Sequence, residues 1–406
     1  MIDVRTLNLD EQTIETFKPY AQAVASGFNE PPITNNRLVE LHLEWARKDT
    51  HRLRGVWDDQ AGLKLSPVAT FASWDGTINA GAGLVAANFI SNVTVRPTHK
   101  RRGLLRAMMT HDLRAAQERG LALATLTATD AAIYGRFGFG CATRRVGVEI
   151  DSGERFALRV PVRGRCEYAE PSEVIGLRNR LFAEHHLSRR GSHSRPSYYD
   201  VLDFDWEKQA DDHTLRAVVH LDDDGQADGV ALFRIAKDRI TVDDLQRSDP
   251  NAEVALWDLL CGIELINKVT SHTFDPLSAL PWALRDPRVI TPKPTADHFW
   301  LRILDVASAL AARGFEAEGE LVLDVSDPLG LTGGRVRLSV RDGRAEVFDT
   351  TAPADLRLGI AELGSLYLGL ADVRTLAALG LAEGPGVLAA HELFRVADEP
   401  WCSTAF

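Results

Sequence analysis

One junction constrains this chain more than any other stretch. Val93-Thr94-Val95-Arg96-Pro97-Thr98-His99-Lys100-Arg101-Arg102-Gly103-Leu104-Leu105-Arg106 links a β-rich run to an amphipathic helix through a basic loop that contains a glycine. Upstream, VATFASWDGTI alternates around Asp75-Gly76, which reads as a hairpin turn, and GAGLVAANFISNVTV reads as the next strand. Downstream, Leu104, Leu105, Met108, Met109, Leu113 and Ala116 recur at helical spacing until Gly120. LALATLTATD then reads as a buried strand. AAIYGRFGFG reads as a short helix broken at Gly138 and Gly140, and RRVGVEI as a closing strand. Two helices, over DEQTIETFKPYAQAVASGF and NNRLVELHLEWARK, come before all of this. Strand, helix, strand, helix, strand is an α/β pattern.

The junction has chemistry as well as topology. A helix N-terminus leaves backbone N–H groups unpaired and carries about half a positive charge. Lys100, Arg101, Arg102 and Arg106 add side-chain charge, and Gly103 lets a ligand approach the backbone. Together they predict an anion site suited to a pyrophosphate. Walker and Rossmann loops do not fit, because each needs more glycines at fixed spacing.

With 406 residues, two or three domains are expected. A second region runs over residues 151–295. It has a helix (SEVIGLRNRLFAEHHL), a strand pair joined by Asp222-Asp223-Asp224-Gly225, the strand RITVDDL, and a long helix starting near Asn251, its expected cap. That order echoes residues 1–150 and suggests a degenerate duplication. Its counterpart of the basic loop is the acidic QRSDPNAE, so no coenzyme is expected there. TPKPTADHF reads as a linker. The third region, residues 296–406, opens with a helix over LRILDVASALAARG, followed by three strands and two helices in an α+β module.

A net charge of −11 argues against a protein that coats nucleic-acid phosphates with its surface. Cys141, Cys166, Cys261 and Cys402 lack CxxC spacing, which excludes a zinc ribbon and a disulfide scaffold. His185, His186 and His193 lack carboxylate or cysteine partners at ligand spacing, so no metal is expected. With no run of about 18 apolar residues and a polar start, neither a membrane span nor a signal peptide is expected, and the cytoplasm is the expected compartment.

The junction resembles motif A of the GNAT acetyltransferases, [QR]-x-x-G-x-[GA] after a strand ending V-x-V-x-P. Lys100 stands at the first position and Leu105 at the last, so two positions depart from the pattern. KRRGLLRAMM, the segment Ile133-Tyr134-Gly135-Arg136-Phe137-Gly138-Phe139-Gly140 and the terminal PWCSTAF resemble the Eis (enhanced intracellular survival) family. That resemblance covers essentially the whole chain. It implies tandem GNAT-type domains followed by a sterol-carrier-like domain, assembled as a homohexamer. The implied activity is acetyl-CoA-dependent N-acetylation of amines on aminoglycosides, often at several positions.

The resemblance also assigns roles. Val93, Thr94 and Val95 lie where the strand splays from its neighbour, with the Val93 and Val95 N–H groups available to pantetheine and the thioester carbonyl. Arg101, Arg102, Gly103, Leu104, Leu105 and Arg106 form the pyrophosphate loop. Thr129 and Asp130 close the neighbouring strand. Tyr134 becomes the acid for the leaving thiolate, although by residue type alone it reads as a packing tyrosine beside Phe137 and Phe139. The α-carboxylate of Phe406 becomes the base; the ordinary alternative is a frayed tail. Glu30, Asp398 and Glu399 are candidates for an acidic, amine-binding pocket, and Trp45 and Trp401 for its apolar walls. Arg189, Arg190 and Arg195 read as a basic loop. Two other functions stay open: acetylation of protein lysines or polyamines, and a lipid-binding scaffold whose GNAT site is vestigial.

Overall fold

The computed structural model describes residues 2–60, 66–202 and 215–406. The chain begins with β1 (Ile2–Thr6), α1 (Ile14–Gly27) and α2 (Asn36–Lys48). Thr13 and Thr16 close a capping box at the start of α1, and Asn35 caps α2. β2 (Arg52–Asp58), β3 (Ala69–Asn79) and β4 (Leu84–Val95) follow as an antiparallel meander. Asp75-Gly76 makes no turn. It lies inside β3, where Gly76 pairs with Ala87 and a Cβ would stand 2.6 Å from the Phe89 ring. The glycine is there for close approach; the reversal itself falls after Asn79. α3 (Leu104–Glu118) then carries the chain to β5 (Leu123–Thr127), parallel to β4, and α4 (Ala131–Tyr134) leads to β6 (Gly140–Cys141).

β7 (Arg144–Arg145) and β8 (Val148–Asp151) come next, and then the second region: β9 (Arg165–Ala169), α5 (Ile175–Ser188), α6 (Tyr199–Leu202), β10 (Leu215–Leu221), β11 (Ala227–Ala236), β12 (Arg239–Arg247), α7 (Pro250–Cys261), β13 (Lys268–Ser271), α8 (Leu280–Ala283) and β14 (Ile290–Pro292). The cap of α7 is Asp249, not Asn251. Pro250 fills the first helical position, as proline prefers, and the Asp249 carboxylate accepts the Asn251 N–H at 2.6 Å.

The two large sheets have the same order. One runs β1-β2-β3-β4-β5-β16-β6, with β16 at Phe299–Ile303; the other runs β9-β10-β11-β12-β13-β8-β14. Each holds one parallel pair, β4 with β5 and β12 with β13, and each has a bulge opposite its longest hairpin. The duplication suggested by element order is therefore present in register and topology.

Each sheet also takes its sixth strand from beyond its own region. β16 pairs with both β5 and β6, and β8 pairs with both β13 and β14. The first sheet thus takes a strand from just past the second region and the second sheet takes one from the end of the first, and the breaks expected near 150 and 295 fall beside these strands. TPKPTADHF is no free linker, because it supplies β14 and β15 (Ala296–Asp297), the latter paired with β7. LRILDVASALAARG likewise divides into β16 and α9 (Val306–Ala312), which Asp305 caps. A short buried apolar run does not reveal strand or helix by periodicity alone.

The third region adds β17 (Gly319–Ser326), β18 (Gly334–Arg341), β19 (Arg344–Asp349), β20 (Leu356–Gly359), α10 (Ile360–Tyr367), α11 (Val373–Ala378), β21 (Ala382–Glu383) and α12 (Val387–Phe394). Its sheet runs β19-β18-β17-β20-β21. One apolar core joins it to the first sheet, from Trp74, Phe89 and Leu123 through Leu301 and Ile303 to Leu323, Leu363 and Phe394. Arg302 on β16 is fully buried. It pairs with Asp327 at 2.6 Å and donates to the Phe137 carbonyl at 2.5 Å. A Cβ at Gly140 would lie 1.9 Å from the Ala361 carbonyl of α10, so the glycine lets the third region dock directly on the Tyr134 segment.

Candidate active site

β4 and β5 pair only from Ala87–Ile90 to Leu123–Leu126, and beyond that they part. The bulge follows at once: Phe71 faces both Asn92 and Val93, and Asn92 takes φ +54°. Arg96 N–H donates to Val68 O at 2.8 Å. By antiparallel alternation the Val95 N–H therefore points away from β3, into the gap β5 has left. Val93 lines that gap. Thr94 does not, since its hydroxyl meets Thr70 at 2.6 Å and its side chain packs under Gly27. Only its backbone borders the opening.

At the end of β4 the loop turns through Arg101 at φ +63° and Gly103 at φ +78°, and no side chain caps α3. The first-turn N–H groups are left facing outward. Lys100, Arg101, Gly103 and Arg106 are exposed, as an anion site needs. Arg102 is also exposed but reaches back to Asp58 at 3.3 Å, whose carboxylate His99 meets at 3.1 Å. Leu104 is buried in the core and Leu105 is half-buried, so they anchor the helix and offer only backbone. Asp130 is exposed and caps α4 through the Ala132 N–H.

Gly103 supplies a test of this loop. A Cβ there meets nothing within 4 Å, but φ +78° strains any other residue. Gly103→Ala is expected to weaken acetyl-CoA binding about fivefold, from about 1 kcal/mol of backbone strain. Gly103→Glu adds an anion where pyrophosphate is expected to bind and is expected to cost at least a further tenfold in calorimetric Kd. Equal affinity in the two variants would place the pyrophosphate elsewhere.

The matching gap in the second sheet is closed. β12 and β13 part after Val242 and Ser271, but Trp401 and Ser403 line the opening with Arg247 and Asp275, and about 30 Å³ is left. An acid, Asp249, caps α7 there. The geometry opposes coenzyme binding.

The first gap opens into a cavity of about 490 Å³ between α1, α2 and the ends of β4 and β5. The last residues of the chain enter it. His193 N–H donates to Cys402 Sγ at 3.3 Å, and Thr404 Oγ1 donates to the His193 carbonyl at 3.0 Å. The His298 Nε2–H donates to the Thr404 carbonyl at 2.6 Å. Tyr198 donates to the Ala405 carbonyl at 2.8 Å, and the Ala405 N–H donates to Tyr199 Oη at 2.6 Å. The Phe406 ring packs against Trp74, Phe89 and Phe299 with centroids 4.9, 5.0 and 5.1 Å away. A Phe406 carboxylate oxygen accepts the Thr127 hydroxyl. Thus hydrogen bonds and ring contacts from β3, β4, β5, α6, β16 and the loops beside them hold the terminus, and it is not frayed.

Tyr134 ends α4, is 6% exposed, packs edge-on to Phe139 and lines the same cavity. Burial, helped by the Asp130 carboxylate, pushes its phenol above the ordinary value, so it stays protonated at neutral pH. Thr129, Glu30 and Trp45 also line the cavity.

Asp398 and Glu399 do not. Both are exposed on the approach to the terminal segment, and the Glu399 carbonyl accepts from Arg189. Nor does Trp401, which is buried against His185 and Arg189. Arg189, Arg190 and Arg195 form no basic surface. Arg195 makes two hydrogen bonds to buried Asp244, Arg190 reaches the Ala80 and Gly314 carbonyls, and Arg189 reaches Asp275. These arginines brace the three regions around the terminus. Sequence reasoning missed Thr127, Tyr198, Tyr199 and His298. They lie from about 100 to nearly 280 residues from the terminus they hold, and no local pattern announces such contacts.

The buried histidines give a pH prediction. The Gly191 carbonyl accepts His193 Nδ1–H, so His193 Nε2 accepts from Thr125. His186 sits between Thr77 and Ser192. Burial lowers His193 to about 3, and His186 and His298 to about 4. Unfolding raises each toward 6.5, so the unfolded chain binds more protons between the two values. Their stabilisation is complete above about pH 6.5 and is lost as pH falls, by about 1.4 kcal/mol per unit for each group. A melting temperature unchanged between pH 7 and pH 5 would contradict this.

Among the described residues, no three histidine, cysteine or acidic side chains are placed to hold a metal, and no helix is long and apolar enough to cross a membrane.

A splayed parallel strand pair, a bulge beside it and an uncapped helix start define a GNAT acetyltransferase. Residues 8–142 and 191–303 each match a GNAT acetyltransferase domain, and residues 306–403 match a sterol carrier protein domain. An uncharacterized N-acetyltransferase of Streptomyces griseus is 35% identical over 435 residues, covering all of both chains. N-acetyltransferase Eis of Mycobacterium tuberculosis is 34% identical over 304 residues, 71% of this chain and 72% of that one. The crystal structure of Eis1 from Mycobacterium abscessus superposes with a TM-score of 0.80 at 26% identity over the full length of both. The chain belongs to the Eis family of GNAT N-acetyltransferases, and the GNAT fold implies acetyl-CoA as its cosubstrate.

Proposed function

We propose that this N-acetyltransferase moves the acetyl group of acetyl-CoA to a primary amine held beside Phe406. The observation that carries the reading is the Phe406 carboxylate, drawn into the cavity that Val93 and Tyr134 also line. The carboxylate takes a proton from the ammonium, directly or through water. The freed nitrogen attacks the thioester carbon, and the Val95 N–H and its neighbours in the gap stabilise the oxyanion. The C–S bond breaks, and Tyr134 gives its proton to the departing thiolate. A second proton leaves the nitrogen to solvent, the Phe406 carboxyl passes its proton to solvent, and solvent returns one to Tyr134, so the cycle releases one proton overall.

The open anion site on α3 and the seated terminus weigh against a scaffold with a vestigial site. Aminoglycosides, and polyamines or protein lysines, are acceptors that the family resemblance suggests. Glu30 on the cavity wall supports a cationic acceptor. Homohexameric assembly belongs to the same reading; exposed Leu265, Trp282 and Leu388 offer apolar surface for subunit contacts. Light scattering on the untagged chain tests the assembly. Thiol release from acetyl-CoA with an amine panel tests the activity, and silence with every amine would overturn it.

A further inference from the structure

We propose that the acceptor is an arylalkylamine with a single positive charge, its ring lying between Trp45 and Trp74 and its ammonium directed to the Phe406 carboxylate. This rests on the acetyl-transfer reading above and names the substrate class of that site.

The wall opposite the coenzyme gap is aromatic. Phe17, Tyr20, Phe28, Trp45, Trp74 and Tyr198 line it, and among the described lining residues Glu30 is the only acidic side chain and no lysine or arginine occurs. Its two tyrosines turn their hydroxyls into the protein. Tyr20 donates to the Phe71 carbonyl at 2.9 Å and Tyr198 to the Ala405 carbonyl at 2.8 Å, so the cavity receives ring surface. The rings are fixed: Phe17, Tyr20, Trp45 and Trp74 are 2 to 8% exposed, as in a packed core. His51 stacks on Trp74 at 4.6 Å and adds no charge, since burial holds it neutral.

Both tryptophans adjoin the chain end. Trp74 lies 4.9 Å from the Phe406 ring, and Trp45 lies 6.1 Å from Tyr198, which holds Ala405. One ammonium entering here meets a carboxylate and aromatic faces, both of which attract it. An acceptor with three or more charges would bring further ammonium groups against ring carbons. Their lost hydration would have no described carboxylates to offset it beyond Glu30. A flat apolar body gains from the same walls. About 490 Å³ holds a one- or two-ring amine.

The test measures thiol release by the full, untagged chain with acetyl-CoA and four acceptors: 2-phenylethylamine, tryptamine, spermidine and kanamycin. The expected result is a kcat/KM for the two arylalkylamines at least tenfold above either polycation. Trp45→Leu, which keeps apolar bulk but removes the π face, is expected to raise KM for tryptamine at least fivefold with kcat within twofold. Faster turnover of spermidine or kanamycin, or an unchanged tryptamine KM in Trp45→Leu, overturns the substrate class and leaves acetyl transfer standing. No thiol release with any acceptor overturns acetyl transfer and the class together.

Discussion

Replacing Tyr134 by phenylalanine is expected to lower kcat by about 10²- to 10⁴-fold, the range for removing a positioned general acid. The ring keeps its edge-on contact with Phe139 and its burial, so the fold and the coenzyme gap survive. KM for acetyl-CoA is expected to stay within about threefold, because the expected pyrophosphate loop precedes α3 and Tyr134 lies on a separate segment, α4. Only the proton for the departing thiolate is lost. A thiolate leaves unaided better than most groups, which places the effect nearer the lower end of that range. Burial raises the phenol, so the wild-type alkaline limb of kcat should lie above pH 10 and vanish in Tyr134→Phe. Steady-state kinetics with a thiol-trapping dye reads both effects. Wild-type kcat in the variant would make Tyr134 a packing residue and leave the thiolate to solvent.

Moving the terminal carboxylate is the other large effect expected. A short extension after Phe406 removes the charge from Thr127 and puts added residues into the cavity that the acceptor must enter. Deleting Phe406 moves the carboxylate back by about 3.5 Å, beyond hydrogen-bond reach of the same amine. Either change is expected to cut kcat at least 100-fold. Phe406→Leu keeps the carboxylate but loses stacking on Trp74, Phe89 and Phe299, so an intermediate loss of about tenfold is expected. Thr404 and Cys402 stay buried in all three variants, so melting temperatures should fall by only a few degrees. Full activity in the extended chain would remove the carboxylate from the mechanism and turn attention to ordered water and Glu30.

The strand, loop and helix that frame the expected coenzyme site were legible in the sequence because they are local. Val93 to Arg106 carries a strand end, a charged loop and a helix start within one short run, and each has a residue signature, whereas the bulge at Asn92 and Val93 had none. Tyr134 was legible for the same reason, in a motif whose glycines mark where α10 must come close. Asp75-Gly76 shows the limit of such signs. The pair fits a turn, yet the need for space beside Phe89 decided its place in β3. Asp249 and Pro250 show it again, since the proline moved the start of α7 ahead of Asn251.

The acceptor side was not legible. Asp398 and Glu399 lie a few residues from the terminus but outside the cavity, while Tyr198 lies more than 200 residues away and inside it. The arginines that read as a basic loop became buried struts because Asp244, Asp275 and several carbonyls converge on them. By itself the sequence determined the α/β class, the duplicated order of elements and the basic strand-to-helix junction before α3. Each of these rests on periodicity, helix-end electrostatics or a short motif, which act over a few residues. Only the tertiary structure decided the placement of β8 and β16, the closed second gap, the seat of Phe406 and the aromatic wall that faces it. Those features depend on which distant surfaces bury together, and burial is a property of the assembled core that no single segment encodes.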